Sequence, residues 1–521
     1  MFPAVPALAT PACPSPRQAR VVTWLLLGTP PALYLSLLFA SAAYVTADGY
    51  DGVGFVLAVD KLDLARFQPQ PPGFPLLVLL ARALHQLGLP AALALATVNA
   101  TLLGLGLGAL ALAFHKKLGH GPLLLLLLVG APLSSSLALS TLSDAAGVGA
   151  LLLAGAALLH PEAPSKRGWP TVAGLLIGLA LGLRPTLAPL VGLLLLFVGV
   201  LGSRPLFVRT LVVAAVATLL WAVPFVLWVG PKLWWQLTLG HAYGHVLDFG
   251  GSVAVDAQRS SRGWALLTHL MHGSFGHPAL LLLLSAVALA ALRVCPPRSW
   301  PPSTRQFLKV LVALLLSYGL FVLLALPVRG HARHLLPLVI GLVILLVLPL
   351  AAALRSPLSL RHPRTAQLLQ VCSLVIATVL AASGCRVAWQ TRRSLAPGPA
   401  LAQYVATHFP KGTRLYGARA ARHLDVLWGS GTALPARYLG EVIVDLEHQD
   451  HLPTTVLVTS EVQAAIGSLP QLRALQTFCY DPAVPTYLQL DREPTHPLPS
   501  PQPHVTHGDG CVTLFAYRVL P

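Results

Sequence analysis

Charge is what this chain of 521 residues has least of: 10% of them are Asp, Glu, Lys or Arg, against 55% hydrophobic, and the mean hydropathy is +0.71. So few ionic groups cannot cover a water-soluble fold of this length, and a soluble enzyme is excluded. Acids are scarcer than bases, 18 against 35, which leaves a formal charge of +17. That excess implies no nucleic-acid partner, because the basic residues stand singly or in pairs between apolar runs instead of clustering on a polar face. Cysteine is sparse too. The six, Cys13, Cys295, Cys372, Cys385, Cys479 and Cys511, form no CxxC pair and no zinc-type spacing with His, so neither a structural metal nor a cofactor is expected. Cys479 and Cys511 alone lie in the polar C-terminal part, where an oxidising compartment would allow them to pair. Methionine occurs only twice and Lys is rare beside Ala, Leu, Gly and Pro, a composition associated with high-GC bacterial genomes.

What is abundant is apolar sequence in long blocks. A bilayer-spanning helix needs about 20 apolar residues. Eleven segments approach that, roughly 21–43, 91–114, 121–133, 145–160, 169–183, 187–201, 210–230, 278–294, 310–328, 335–354 and 368–389. The first is too long for a cleaved signal peptide, although Ala40-Ser41-Ala42 resembles a cleavage site. With the N-terminal tail, 1–20, in the cytoplasm, the even-numbered connections carry Lys116, Lys117, Lys166, Arg167, Arg204, Arg209, Arg298, Arg305, Lys309, Arg355, Arg361 and Arg364. The opposite connections carry Asp48, Asp51, Asp60, Asp63, Asp144, Asp248 and Asp256. This is the positive-inside pattern, and it predicts a multi-pass protein of the bacterial plasma membrane with long external loops near 44–90 and 231–277.

Segment 74–87 is apolar but contains Arg82, His85 and Gln86, so an amphipathic helix in the membrane interface is expected there in place of a span. Trp234, Trp235, Tyr243 and Trp264 suit the second external loop to the headgroup region. From about 391 to 521 the character changes to strand-like runs, TTVLVT at 454–459 and CVTLFAYRV at 511–519, separated by Gly, Pro and Asp. A small extracytoplasmic α/β domain is expected there, with Pro-rich 482–506 as a surface excursion. The predicted fold is mainly α: a transmembrane bundle over 21–390 followed by that domain.

The first external loop begins Asp48-Gly-Tyr-Asp51-Gly-Val-Gly-Phe55-Val-Leu-Ala58 and later reads Gln70-Pro71-Pro72-Gly73-Phe74. An acid opening the loop, an aromatic four residues on, a small residue at seven, and a Pro-Pro before an interfacial helix resemble the GT-C glycosyltransferases that use polyprenyl-phosphate sugars. The likeness is to the branch of protein mannosyltransferases and aminoarabinose transferases. It extends more weakly to about residue 390 through Ser143-Asp144, Leu183-Arg184-Pro185 and His334-Leu-Leu-Pro337. Gly52 stands where that family often has a second acid, and Gln70 where a His often precedes Pro-Pro. A metal at the loop is therefore not expected, since hard cations need several oxygen ligands.

The resemblance implies transfer of a sugar from a polyprenyl-phosphate donor to an acceptor hydroxyl or amine of a lipid, glycan or protein outside the cytoplasm. Such transfer needs a base for the acceptor proton and cations for the departing phosphate. Asp51 is the expected base and Asp48 its alternate, while a helix N-cap is the structural alternative for Asp51. Arg329, Arg333, Arg184, Lys61 and Arg66 are the expected phosphate contacts, with snorkelling or interfacial anchoring as the alternative. Asp144, Gln70, His241, His245 and His331 are expected to contact substrate. The spacings His241/His245 and His331/His334 also suit a metal, but neither HExxH nor a third ligand accompanies them. A lipid-linked saccharide transporter would be equally polytopic and basic, yet no internal repeat is visible and the acids gather in one loop. A non-catalytic assembly subunit of the same fold is the third reading.

Overall fold

The computed structural model describes residues 16–160, 168–201, 203–247, 252–254, 261–326, 328, 332–355, 363–394, 396–411, 413, 415–416, 420–428, 455–459, 472–479 and 511–518. Each of the eleven apolar segments falls mainly on helix, 121–133 being divided between two. Helices α1 (Pro16–Ala40), α4 (Ala91–Leu118), α7 (Asp144–Leu159) and α8 (Gly168–Leu183) pack in series. Glycines set their separation: a Cβ on Gly106 of α4 would stand 2.4 Å from the carbonyl oxygen of Gly149 on α7. Only backbone contact allows helices that close, and in lipid such packing replaces the missing hydrophobic drive between helices.

Six helices are long and apolar enough to cross a bilayer, and two bent pairs bring the count to eight. The bent pairs are α5 (Gly121–Gly130) with α6 (Pro132–Ala138), at 71°, and α12 (Arg262–Phe275) with α13 (Pro278–Val294), at 80°. The remaining three segments form shorter apolar helices: α7, α8 and α9 (Ala188–Leu201). Helices α10 (Arg204–Val229), α14 (Pro302–Ala325) and, near the C-terminal end of the bundle, α15 (Leu336–Arg355) and α16 (Pro363–Arg393) complete the membrane part. Leu219, Leu220 and Trp228 on α10 and Leu316 and Leu320 on α14 are exposed, as lipid-facing side chains are. The chain is a multi-pass membrane protein.

The first long loop folds into α2 (Gly49–Asp60) and α3 (Pro75–Gln86). The helix expected over 74–87 is α3, and it packs on α2, α4 and α8. Arg82 on α3 donates to the carbonyls of Val59 at 2.6 Å and Ala58 at 3.0 Å, satisfying the open C-terminal end of α2. The returning segment crosses α2 at Gly54, where a Cβ would meet the Phe67 carbonyl oxygen at 2.6 Å. In the second loop lies α11 (Pro231–Leu247), whose Trp234 indole donates to the Pro72 carbonyl at 2.9 Å and ties the two loops together.

Helix α16 runs past the expected boundary to Arg393 and leads into α17 (Pro397–His408), β1 (Leu415–Tyr416), α18 (Ala420–Trp428), β2 (Thr455–Thr459), β3 (Leu472–Cys479) and β4 (Cys511–Arg518). The strands form one sheet in the order β1-β2-β4-β3, with β1 parallel to β2 and the other pairs antiparallel. Leu401, Val405, Leu415, Leu424, Leu457 and Leu514 make its small core. Cys479 and Cys511 lie opposite each other on β3 and β4 and form a disulfide. The Pro-rich excursion at 482–506 lies outside the described residues.

Candidate active site

Two acids of the first loop, Asp48 and Asp51, meet arginines from far along the chain, and Asp144 at the start of α7 meets a third. Asp48 occupies the N-cap position of α2 but bonds none of its amides. Its Oδ2 accepts from the backbone N–H of Thr141 at 2.6 Å and the Thr141 hydroxyl at 3.0 Å, and its carboxylate receives Arg392 Nη2 at 2.8 Å. Asp51 lies in the first turn of α2, where a helix N-terminus favours negative charge. It pairs with Arg333, which stands in the short 3-10 turn Ala332–Leu335 before α15. The N-cap alternative for Asp51 therefore falls to Asp48, and even there the side chain is used elsewhere.

The third pair is the deepest. Asp144 opens α7 with its side chain 2% exposed, and Arg184, 8% exposed, reaches it at 2.7 Å. Arg184 also donates to the Ser143 hydroxyl at 2.7 Å and lies 3.1 Å from His334 Nδ1. His334, the chain neighbour of Arg333, also lies 4.0 Å from Asp144, so the second and third pairs form one centre. Asn99 supports it from α4. Its amide donates to the carbonyls of Ser140 and Leu142 and its oxygen accepts from Ala146 N–H, which fixes the turn that carries Thr141, Ser143 and Asp144.

Exposure separates the roles open to these groups. Asp51 keeps 27% of its side chain accessible and Arg333 keeps 13%. Asp144 and Arg184 are buried and hold each other. Removing one member would leave an unpaired buried charge at a cost of about 3–5 kcal/mol. Asp144→Asn and Arg184→Met are each expected to lower the midpoint of detergent-phase unfolding markedly. The double change Asp144→Leu with Arg184→Met is expected to recover much of that loss, checked by thermal unfolding of all three variants.

The other expected contacts are scattered. Lys61 follows the far end of α2, ten residues from Asp51 and so about 15 Å along the helix. Arg66 pairs with Asp63 at 3.6 Å with more than half its side chain in solvent. Gln70 accepts from Gly73 N–H through its carbonyl in the Pro-Pro turn, and the His241 ring lies 5.9 Å from that of Phe67. Arg329 and His331 and the side chain of His245 lie outside the described residues. Among the described residues no three of His, Cys, Asp or Glu converge as metal ligands do.

Sequence reading missed Arg392, Arg422 and His423. Arg422, on α18, donates to the carbonyls of Arg66 at 2.8 Å and Phe67 at 3.0 Å, and its guanidinium lies 4.3 Å from the centre of the Tyr50 ring. Beside it His423 is 4% exposed. Burial pushes its pKa down to about 4, against the opposing pull of Asp48. An imidazole that stays neutral in place but titrates near 6.5 when released stabilises the docked helix fully above pH 6.5 and loses that contribution as pH falls toward 4. The ceiling is about 3 kcal/mol. Amide protection in 420–428, taken relative to the intrinsic exchange rate at each pH, is therefore expected to fall between pH 6.5 and 4 in the native protein, and to change far less with pH in His423→Gln.

No protein-family model and no curated protein matches this chain. Solved structures do. ArnT from Cupriavidus metallidurans in the apo state superposes with a TM-score of 0.55 at 15% identity, over 86% of this chain and 95% of that one. ArnT from the same organism bound to undecaprenyl phosphate gives 0.55 at 14% identity, over 95% of this chain and 98% of that one. The chain therefore has the GT-C fold of these ArnT structures, a helical membrane bundle followed by a small mixed domain.

Proposed function

We propose that this protein is a membrane glycosyltransferase that moves a sugar from a polyprenyl-phosphate donor to an acceptor hydroxyl or amine at the extracytoplasmic face. The observation that carries the reading is the Asp51–Arg333 pair: a partly accessible base held against a partly accessible cation at one end of an apolar bundle. The fold is compatible, and a structure with that fold holds undecaprenyl phosphate.

Asp51 accepts the acceptor proton as the hydroxyl or amine attacks the anomeric carbon, and the phosphate leaves with the bonding electrons. A carboxylate paired with Arg is a weak base, because the cation stabilises its ionised form. A donor phosphate that draws Arg333 toward itself removes that brake. Donor binding thus raises the basicity of Asp51 at the moment it is needed, and Arg333 then meets the charge that grows on the leaving phosphate. Asp144, Arg184 and His334 form the support next to Arg333, with His334 its chain neighbour, and Asp48 with Arg392 and Thr141 holds the start of α2.

Deleting the gene and extracting membrane lipids tests the class. A sugar-phosphate polyprenol is expected to accumulate. Accumulation of a complete saccharide-linked lipid on the cytoplasmic face instead would assign the chain to transport.

A further inference from the structure

At the other end of the bundle lies a cavity of about 390 Å³. Two helices fix its place. Asp144 opens α7, and Leu159 at its far end lines the cavity; α15 follows directly on Arg333 and His334, and Arg355 at its far end lines it too. These helices have 16 and 20 residues, so about 24–30 Å separate the cavity from the ion pairs. That is about the depth of a hydrocarbon core, which puts the cavity at the opposite membrane edge.

Its walls are apolar, built from Ala113, Phe114 and Leu118 of α4, Phe307 of α14 and Ala352 of α15. Trp300 closes one side, fixed by its indole N–H donating to the Cys295 carbonyl at 3.0 Å. The polar lining has one sign. Lys117 and Arg355 supply two cations, with Arg355 Nη1 donating to the Lys117 carbonyl. Ser303 and Thr304 add hydroxyls from the first turn of α14, where helix amides also favour an anion. Among the described residues no carboxylate pairs with either cation. In the connections at this edge the only acid in the sequence is Glu162, against Lys116, Lys117, Arg298, Arg305, Lys309 and Arg355.

An apolar cleft between helix ends with an unneutralised cationic rim at the water edge fits a molecule with acyl chains and an anionic phosphate head. We propose that this cavity is a binding site for an anionic phospholipid of the leaflet opposite the ion-pair cluster. The proposal stands independently of the transfer reaction.

The test uses the full-length protein in detergent, titrated with phosphatidylglycerol, phosphatidylcholine or glycerol phosphate and read by native mass spectrometry. Phosphatidylglycerol is expected to be retained, and phosphatidylcholine and glycerol phosphate are not. Lys117→Gln and Arg355→Gln are each expected to weaken retention about fivefold, and together about thirtyfold. Ala352→Phe, which fills the apolar part without touching the rim, should also reduce it. Photoactivatable phosphatidylglycerol should label peptides 113–118 or 352–355 in the unaltered protein, so the result does not depend on variants folding. Equal retention of phosphatidylcholine, equal binding of glycerol phosphate, full retention by the double variant, or labelling confined to other helices would each overturn the proposal.

Discussion

Replacing Asp51 by Asn is expected to cut sugar transfer by about 10²–10⁴-fold, the range that a positioned general base contributes. Asn keeps the size of the side chain and can still accept a hydrogen bond from Arg333, so α2 retains its packing. What disappears is the capacity to take a proton. The ion pair is partly accessible, so its loss costs far less than that of the buried Asp144–Arg184 pair, and the variant should remain abundant and inserted. Asp48→Asn is the contrasting control. Asp48 is held by Arg392 and by two donors of Thr141, so its replacement should loosen the start of α2 and lower thermal stability while transfer falls less. Transfer by Asp51→Asn at the normal rate, measured with saturating donor on purified protein, would remove Asp51 from the mechanism.

Much of the fold could be read from the sequence because in lipid the backbone must satisfy itself, and long apolar runs have few alternatives to helix. The helix over 74–87 was expected from its apolar pattern, and Arg82, which set it apart from the spans, caps α2. The strands at 455–459 and 511–518 were visible in their alternation and β-branched content, whereas the compartment argument only allowed Cys479 and Cys511 to pair, and it is the register of β3 on β4 that brings them together. The bends between α5 and α6 and between α12 and α13 were not legible, since hydropathy reports composition and not direction.

Five of the six members of the ion pairs were legible as well. Asp48, Asp51 and Asp144 drew attention as acids in an apolar chain, and Arg184 and Arg333 as charges near helix ends. Their pairing was not, because partners up to 344 positions apart meet only through the packing of the bundle. Arg392 lay beyond the expected end of the bundle, yet the longer last helix places it on Asp48. Gly52 is the most instructive case. In sequence it is a missing acid. In the structure a Cβ at that position would lie 2.7 Å from the Thr141 hydroxyl oxygen, the group that bonds Asp48. The space a second carboxylate would need is filled by the partner of the first.

Arg333 is the second residue whose loss should be severe. It pairs directly with the proposed base, it is partly accessible, and its chain neighbour His334 lies 3.1 Å from Arg184, so it stands between the accessible edge and the buried support. Arg333→Gln is expected to lower turnover by about 10²–10³-fold, the loss seen when one preorganised stabiliser of developing charge is removed. It should also raise the apparent Michaelis constant for the donor, because the same guanidinium meets the phosphate before it leaves. Arg333→Lys should restore part of the donor affinity and less of the turnover, since an ammonium keeps the charge but loses the planar fork. The pairing with Asp51 adds a sharper expectation. If drawing Arg333 onto the phosphate is what frees Asp51, the two residues act as one unit, and Asp51→Asn combined with Arg333→Gln should be little slower than the worse single variant. Strictly multiplicative losses in that double-mutant cycle would show two independent contributions, and the exchange of Arg333 between carboxylate and phosphate would have to be abandoned.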